Sequence, residues 1–220
     1  MGKLILVRHG HTPLNGHGKD ERLRAWLDIP LDQQGLQEAA DTAKKLRGYP
    51  VRAIFSSDLK RARNTAEVIR QATNTDSQII TTDELRPWNL GVFGGQLLRE
   101  IIPFLNLLNQ HPEMPAPNGE SFHQFYDRYS KRLHAILKAA TETDGYVVAV
   151  THVRNLLAAK TILTDGNRDR VPVQGGPATG TLTFVENLAG SWKMCTEEER
   201  PNNAVPMPFA VEENHGIAVS

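Results

Sequence analysis

Cysteine is nearly missing from this chain: Cys195 is the single one in 220 residues. That excludes an internal disulfide framework and any cysteine-rich zinc site. Net charge is missing too, with 25 Lys and Arg against 25 Asp and Glu. A neutral chain does not grip nucleic acid or an anionic membrane by bulk charge, although a local cluster of one sign remains open. Long apolar runs are absent. Leu4 to Val7 gives four apolar residues before Arg8, too few for a signal-peptide core, and nothing approaches the roughly 18–20 residues that span a bilayer. Gly2 fits no myristoylation pattern, because Leu6 stands where Ser or Thr is needed. The expectation is a cytoplasmic protein with neither nucleic acid nor membrane as partner. What is present is ordinary for a globular chain, 40% hydrophobic and 23% charged, and long enough to bury a sizeable core.

Strand-like and helix-like patterns alternate. Leu4–Val7 reads as a strand buried on both faces. Residues 33–47 carry a helical stripe of Leu36, Ala39, Ala40, Ala43 and Leu46. Residues 52–56 read as a second strand, followed by a helix with Asp58 as expected N-cap and Ala62, Thr65, Ala66 and Ile69 on its inner face. Ile79-Ile80 is a weak strand. Residues 96–109 and 120–141 read as helices, 146–150 as the clearest buried strand, and 153–163 as the helix after it. Residues 181–185 and 192–195 form an expected hairpin turning near Ala189-Gly190. This alternation predicts an α/β, three-layer sandwich whose central sheet is mostly parallel and flanked by helices. One domain over 1–200 is expected, followed by an extended tail, 201–220, lying free, along the body or along a partner subunit. A homodimer is compatible with that reading.

Ligands of open α/β sheets sit at the carboxyl ends of the strands. Here the first strand runs into Arg8-His9-Gly10, the strand at 146–150 runs into Thr151-His152, and a third delivers Ser56-Ser57-Asp58 with Arg61 just beyond. If these strands are neighbours, two imidazoles and two guanidiniums meet at one mouth, which by composition is a phosphate site. Guanidiniums hold phosphoryl oxygens bidentately and keep their charge. A neutral imidazole can attack phosphorus, and adjacent arginines favour that neutral form. His9 and His11 also form an H-x-H pair with the spacing of metal ligands, but no acidic cluster accompanies it, and no metal or other cofactor is expected.

LVRHGHT (residues 6–12), WLDIPLDQQGLQEA (26–39), IFSSDLKRARNTAEVI (54–69), NGESF (118–122) and VVAVTHVRNLL (147–157) resemble, in order, the blocks of the histidine phosphatases, the phosphoglycerate mutase-like superfamily marked by RHG. The resemblance implies a small phosphorylated substrate and hydrolysis of phosphomonoesters without a metal. It implies His9 as the nucleophile that becomes phosphohistidine. Arg8, Arg61 and His152 would clamp the phosphoryl group, with Asn15 bordering the pocket.

One departure bears on the chemistry. The family carries a glutamate after a Leu-Arg pair as proton donor to the leaving oxygen. In this chain Leu85-Arg86 is followed by Pro87. Glu84 is the first candidate to replace that acid, and Glu120 is the alternative. Arg154 stands after His152 where a small residue is usual, and with Arg86 and Arg22 it is expected to bind a second anionic group of the substrate. The other readings kept open are a phosphoglycerate mutase-like enzyme, a phosphohistidine protein phosphatase, and a phospho-ligand-binding regulatory protein with little turnover.

Overall fold

The computed structural model describes residues 2–199 except His17, Asp76, Ser77, Asp165, residues 172–174 and Glu198; the expected tail 201–220 lies outside the described residues. The strands are β1 (Lys3–Arg8), β2 (Val51–Ser57), β3 (Ile79–Thr82), β4 (Tyr146–Thr151), β5 (Leu182–Leu188) and β6 (Ser191–Thr196). The helices are α1 (Gln33–Leu46), α2 (Lys60–Ala72), α3 (Leu98–Gln110), α4 (Phe122–Glu142) and α5 (Val153–Thr164). The six strands form one sheet in the order β3-β2-β4-β1-β5-β6. β3, β2, β4 and β1 run parallel, while β5 and β6 add an antiparallel hairpin.

The apolar run of β1 is continuous because both faces of the sheet are covered. Leu4 and Leu6 pack into one core with Phe125, Tyr129 and Leu133 of α4. Ile5 and Val7 pack into the other with Ala43 of α1 and Ala62, Ala66 and Ile69 of α2. β4 splits the same way, Val147 and Ala149 to the first core, Val148 and Val150 to the second. The two-residue period of the strand therefore produces the three layers.

The start of α4 is set locally. Ser121 accepts from the Gln124 N–H at 3.1 Å and the Gln124 side chain accepts from the Ser121 N–H at 2.8 Å, a capping box that begins α4. Asp58 does not cap α2 as the sequence suggested. The N-cap is Leu59, and the free Lys60 N–H is taken by Asp28 Oδ1 at 2.7 Å from another loop. Leu36 departs from its expected inward stripe and is exposed, because Gly35 occupies the inner position of that turn. The hairpin turns where expected: Ala189 and Gly190 both have left-handed φ, 52° and 89°, as a tight turn between twisted strands requires.

Candidate active site

Register aligns the two strand tips. β1 and β4 are parallel neighbours with Arg8 opposite Thr151, so His9 and His152 each stand one residue beyond the same rung. Their rings meet edge to face with centroids 5.0 Å apart. β2 lies on the other side of β4, and Arg61, near the start of the helix after it, reaches the same point. His9, His152 and Arg61 are 3%, 2% and 1% exposed.

His9 is held in one tautomer. Its Nδ1 lies 2.7 Å from the Gly10 carbonyl, which can only accept, so Nδ1 carries the proton and Nε2 keeps its lone pair. The loop that fixes this geometry needs its glycines. A Cβ on Gly10 would sit 2.4 Å from the Gly35 carbonyl, and one on Gly35 would sit 2.0 Å from the His11 carbonyl. Burial, then the Arg61 charge, pushes the His9 pKa well below its ordinary value, with Arg8 and Arg24 adding to the effect. His152 moves the same way, by burial first and then by Arg61, His9 and Arg8. Both rings are therefore neutral near pH 7, the form that attacks phosphorus and the form that accepts a proton once an anion arrives.

Arg61 Nη1 and Nη2 donate to the Leu27 and Ala25 carbonyls at 2.7 and 2.8 Å, and Arg8 Nη1 donates to the Pro177 carbonyl at 2.6 Å. Burial lowers Arg8 to about 10 and Arg61 to about 9, and both stay charged at neutral pH. Both His152 ring nitrogens, Arg8 Nε and Arg61 Nε are buried with no hydrogen-bond partner among the described residues. Buried donors and acceptors of this kind are costly unless a ligand satisfies them.

These groups face a cavity of about 460 Å³. Among the described residues, two further arginines line it, Arg24 and Arg154, and one carboxylate, Glu21. Leu98, Ile102 and Leu105 of α3 give it an apolar wall, while Trp88 and Leu90 add another. The segment carrying Glu21 and Arg24 is pinned across the mouth by backbone bonds. Leu98 N–H donates to the Glu21 carbonyl (2.8 Å), Leu23 N–H to Gln96 (2.9 Å), and Gly95 N–H back to Leu23 (2.8 Å). Glu21 Oε1 accepts from Arg24 Nη2 at 3.1 Å. Sequence reasoning missed this pair. Its signal was an acid and a base three apart in ERLR, on a stretch without periodicity.

Five residues expected at the site, Arg86, Asn15, Glu84, Glu120 and Arg22, are placed elsewhere. Arg86 is not among the cavity's lining residues. It makes a bidentate pair with Asp58, at 2.8 and 2.5 Å, and lies over the Trp26 ring at 4.6 Å. Asn15 Oδ1 accepts from the Thr12 N–H and hydroxyl, closing a short turn. Glu84 is bound by Arg132 of α4. Glu120 accepts from Arg128 at 2.7 Å and from the Asn89 N–H at 2.9 Å. Arg22 is exposed and donates to Gly95. His11 pairs with Asp32 at 2.6 Å, away from His9. Among the described residues no group of three His, Cys, Asp or Glu has metal-site geometry. Pro87, by contrast, lines the cavity itself. Glu84→Gln and Glu120→Gln are accordingly expected to change kcat/KM far less than the roughly 10²–10⁴-fold that a general acid contributes. A steady-state comparison on an aryl and an alkyl phosphate checks this, and a large selective loss on the alkyl ester would reinstate either residue as the acid.

The two buried neutral histidines also tie stability to pH. The unfolded chain takes up protons near pH 6.5 while the folded one resists, so their contribution is complete above that pH and is lost as pH falls below it. Each steepens the loss by up to about 1.4 kcal/mol per pH unit. Chemical denaturation at pH 7.5 and 5.5 should show a smaller stability drop for His152→Asn than for wild type.

An α/β protein that gathers imidazoles and guanidiniums at the carboxyl ends of parallel strands presents a locally cationic site with donors suited to an anion. The family model of the histidine phosphatase superfamily (branch 1) matches residues 4–194, and the chain belongs to that family. It is 33% identical over 140 residues, 61% of this chain, to the probable phosphoglycerate mutase GpmB of Escherichia coli, and the chain spans 63% of the length of that relative. Among solved structures it is similar to mycobacterial glucosyl-3-phosphoglycerate phosphatase in complex with VO3. That match has a TM-score of 0.74 and 28% identity, and covers 89% of this chain and 98% of that one. The phosphoserine phosphatase of Entamoeba histolytica shares the fold at a TM-score of 0.73 and 23% identity, over 89% and 96% of the two chains. No helix among the described residues is long and apolar enough to cross a membrane.

Proposed function

We propose that the chain is a metal-independent phosphatase that hydrolyses small phosphomonoesters through a phosphohistidine on His9. The observation that carries this reading is the His9 imidazole with Nε2 unprotonated, seated beside Arg61 and His152 in a cavity rich in guanidinium. His9 Nε2 attacks phosphorus. Arg8, Arg61 and His152 neutralise the oxygens as charge spreads over them. Arg154 faces the remainder of the substrate. Water then cleaves the P–N bond and returns the imidazole to its starting form. The glucosyl-3-phosphoglycerate phosphatase with which the chain shares its fold, and with it 28% of its sequence, supports hydrolysis over a purely binding role.

The direct test is rapid mixing with p-nitrophenyl phosphate followed by alkaline quench. A burst of nitrophenol matched to an acid-labile phosphoryl group on the His9 peptide is expected. Equal nitrophenol release by wild type and His9→Ala, with no modified peptide, would refute the reading. A second reading, a phospho-ligand-binding protein with little turnover, is favoured by Pro87 in the cavity wall. It predicts tight orthophosphate binding without a burst. Orthophosphate release, as against transfer to a second hydroxyl of the substrate, separates phosphatase from mutase.

A further inference from the structure

The cavity contains more positive charge than one phosphoryl group requires. Beyond Arg8 and Arg61, its walls hold Arg24 and Arg154, against Glu21 as the one carboxylate lining it among the described residues. Glu21 accepts from the Arg24 guanidinium, so it is placed as an acceptor. Glu84 and Glu120 are held by Arg132 and Arg128 outside the cavity, and Pro87 in its wall has no proton to give. A leaving alkoxide is as basic as hydroxide and needs a proton as the P–O bond breaks. A leaving phosphate does not, since its second pKa is about 6.

Taking the phosphatase reading as its base, we infer that this site acts on the terminal phosphoryl group of phosphoanhydrides, specifically monosubstituted diphosphates carrying an apolar organic group. Arg24 and Arg154 receive the departing inner phosphate, and guanidinium forks suit its oxygens. Arg154 is backed by the Trp88 ring, 5.9 Å away, and belongs to the helix that follows His152. Leu98, Ile102 and Leu105 then cover the organic group. His9 Nε2 forms a bond to the terminal phosphorus. The bond from that phosphorus to the bridging oxygen breaks, and its electron pair leaves on the oxygen as a phosphomonoester dianion. Water next attacks the phosphohistidine, the P–N electron pair returns to Nε2, and hydrogen phosphate and one proton are released. No acid is required in the first step.

The test compares hexyl diphosphate, hexyl phosphate and p-nitrophenyl phosphate on the same enzyme. The diphosphate is expected to exceed hexyl phosphate in kcat/KM by about 10²-fold or more, the range an absent general acid leaves uncompensated. Arg154→Gln should lower the diphosphate rate relative to p-nitrophenyl phosphate by about tenfold, the worth of one charge-assisted bond. Arg24→Gln, on the irregular segment rather than a core helix, should lower that ratio in the same direction. Equal kcat/KM on the two hexyl substrates, with nitrophenol release still dependent on His9, overturns the inference and leaves the phosphatase reading standing. Hydrolysis of p-nitrophenyl phosphate that survives His9→Ala undiminished overturns both. If Glu21→Gln slows hexyl phosphate far more than p-nitrophenyl phosphate, Glu21 is a proton donor and the anhydride assignment is wrong.

Discussion

His9→Ala is expected to lower turnover of p-nitrophenyl phosphate by at least about 10⁴-fold, because a nucleophile acting within a coupled set is not replaced by its neighbours. The arginines are untouched by this change, so orthophosphate should still bind, and calorimetric titration beside the kinetic assay separates the two effects. His9 is 3% exposed; among the described residues its imidazole hydrogen-bonds the adjacent Gly10 carbonyl and otherwise meets the His152 ring edge to face, so the variant loses no hydrogen bond to a distant element. Loss of turnover with binding retained is the expected pattern. Unchanged turnover would remove His9 from the reaction.

Arg61→Lys is expected to cost about 10³-fold in kcat/KM, within the range assigned to an arginine that stabilises a transferring phosphoryl group. Charge alone does not explain the size. The guanidinium holds the Ala25 and Leu27 carbonyls while its Nε is left for a ligand. A lysine presents one ammonium and cannot do both. Ala25 has a left-handed φ of 38°, a conformation that needs outside support, and its carbonyl is one of the two that Arg61 grips. The same variant should therefore loosen the segment bearing Glu21 and Arg24, raising hydrogen exchange across residues 21–27. A kinetic loss below tenfold, with exchange unchanged, would make Arg61 a structural residue.

Much of the architecture was legible because strands buried on both faces leave continuous apolar runs, and amphipathic helices leave stripes. The location of His9 and His152 at strand ends was legible for the same reason. The roles of the long charged side chains were not. Arg86 and Arg24 look alike in sequence, yet Arg86 is captured by Asp58, 28 residues earlier, while Arg24 turns into the cavity. Glu84 and Glu120 seemed available as acids until α4 brought Arg132 and Arg128 against them. Long charged side chains settle on the nearest opposite charge, and that neighbour is set by packing between elements distant in sequence.

The neutral total of 25 cations against 25 anions describes the chain and not its site. Local chemistry dictated the strands, the helices, the α4 cap of Ser121 with Gln124, and the residue types at each strand tip, because those depend on near neighbours along the chain. The order β2-β4-β1, and the rung that sets Arg8 opposite Thr151, arose only on folding. Those two facts place His9 beside His152 and bring Arg61 to both. They concentrate positive charge in a cavity walled by α3, because parallel strands end on the same side of a sheet.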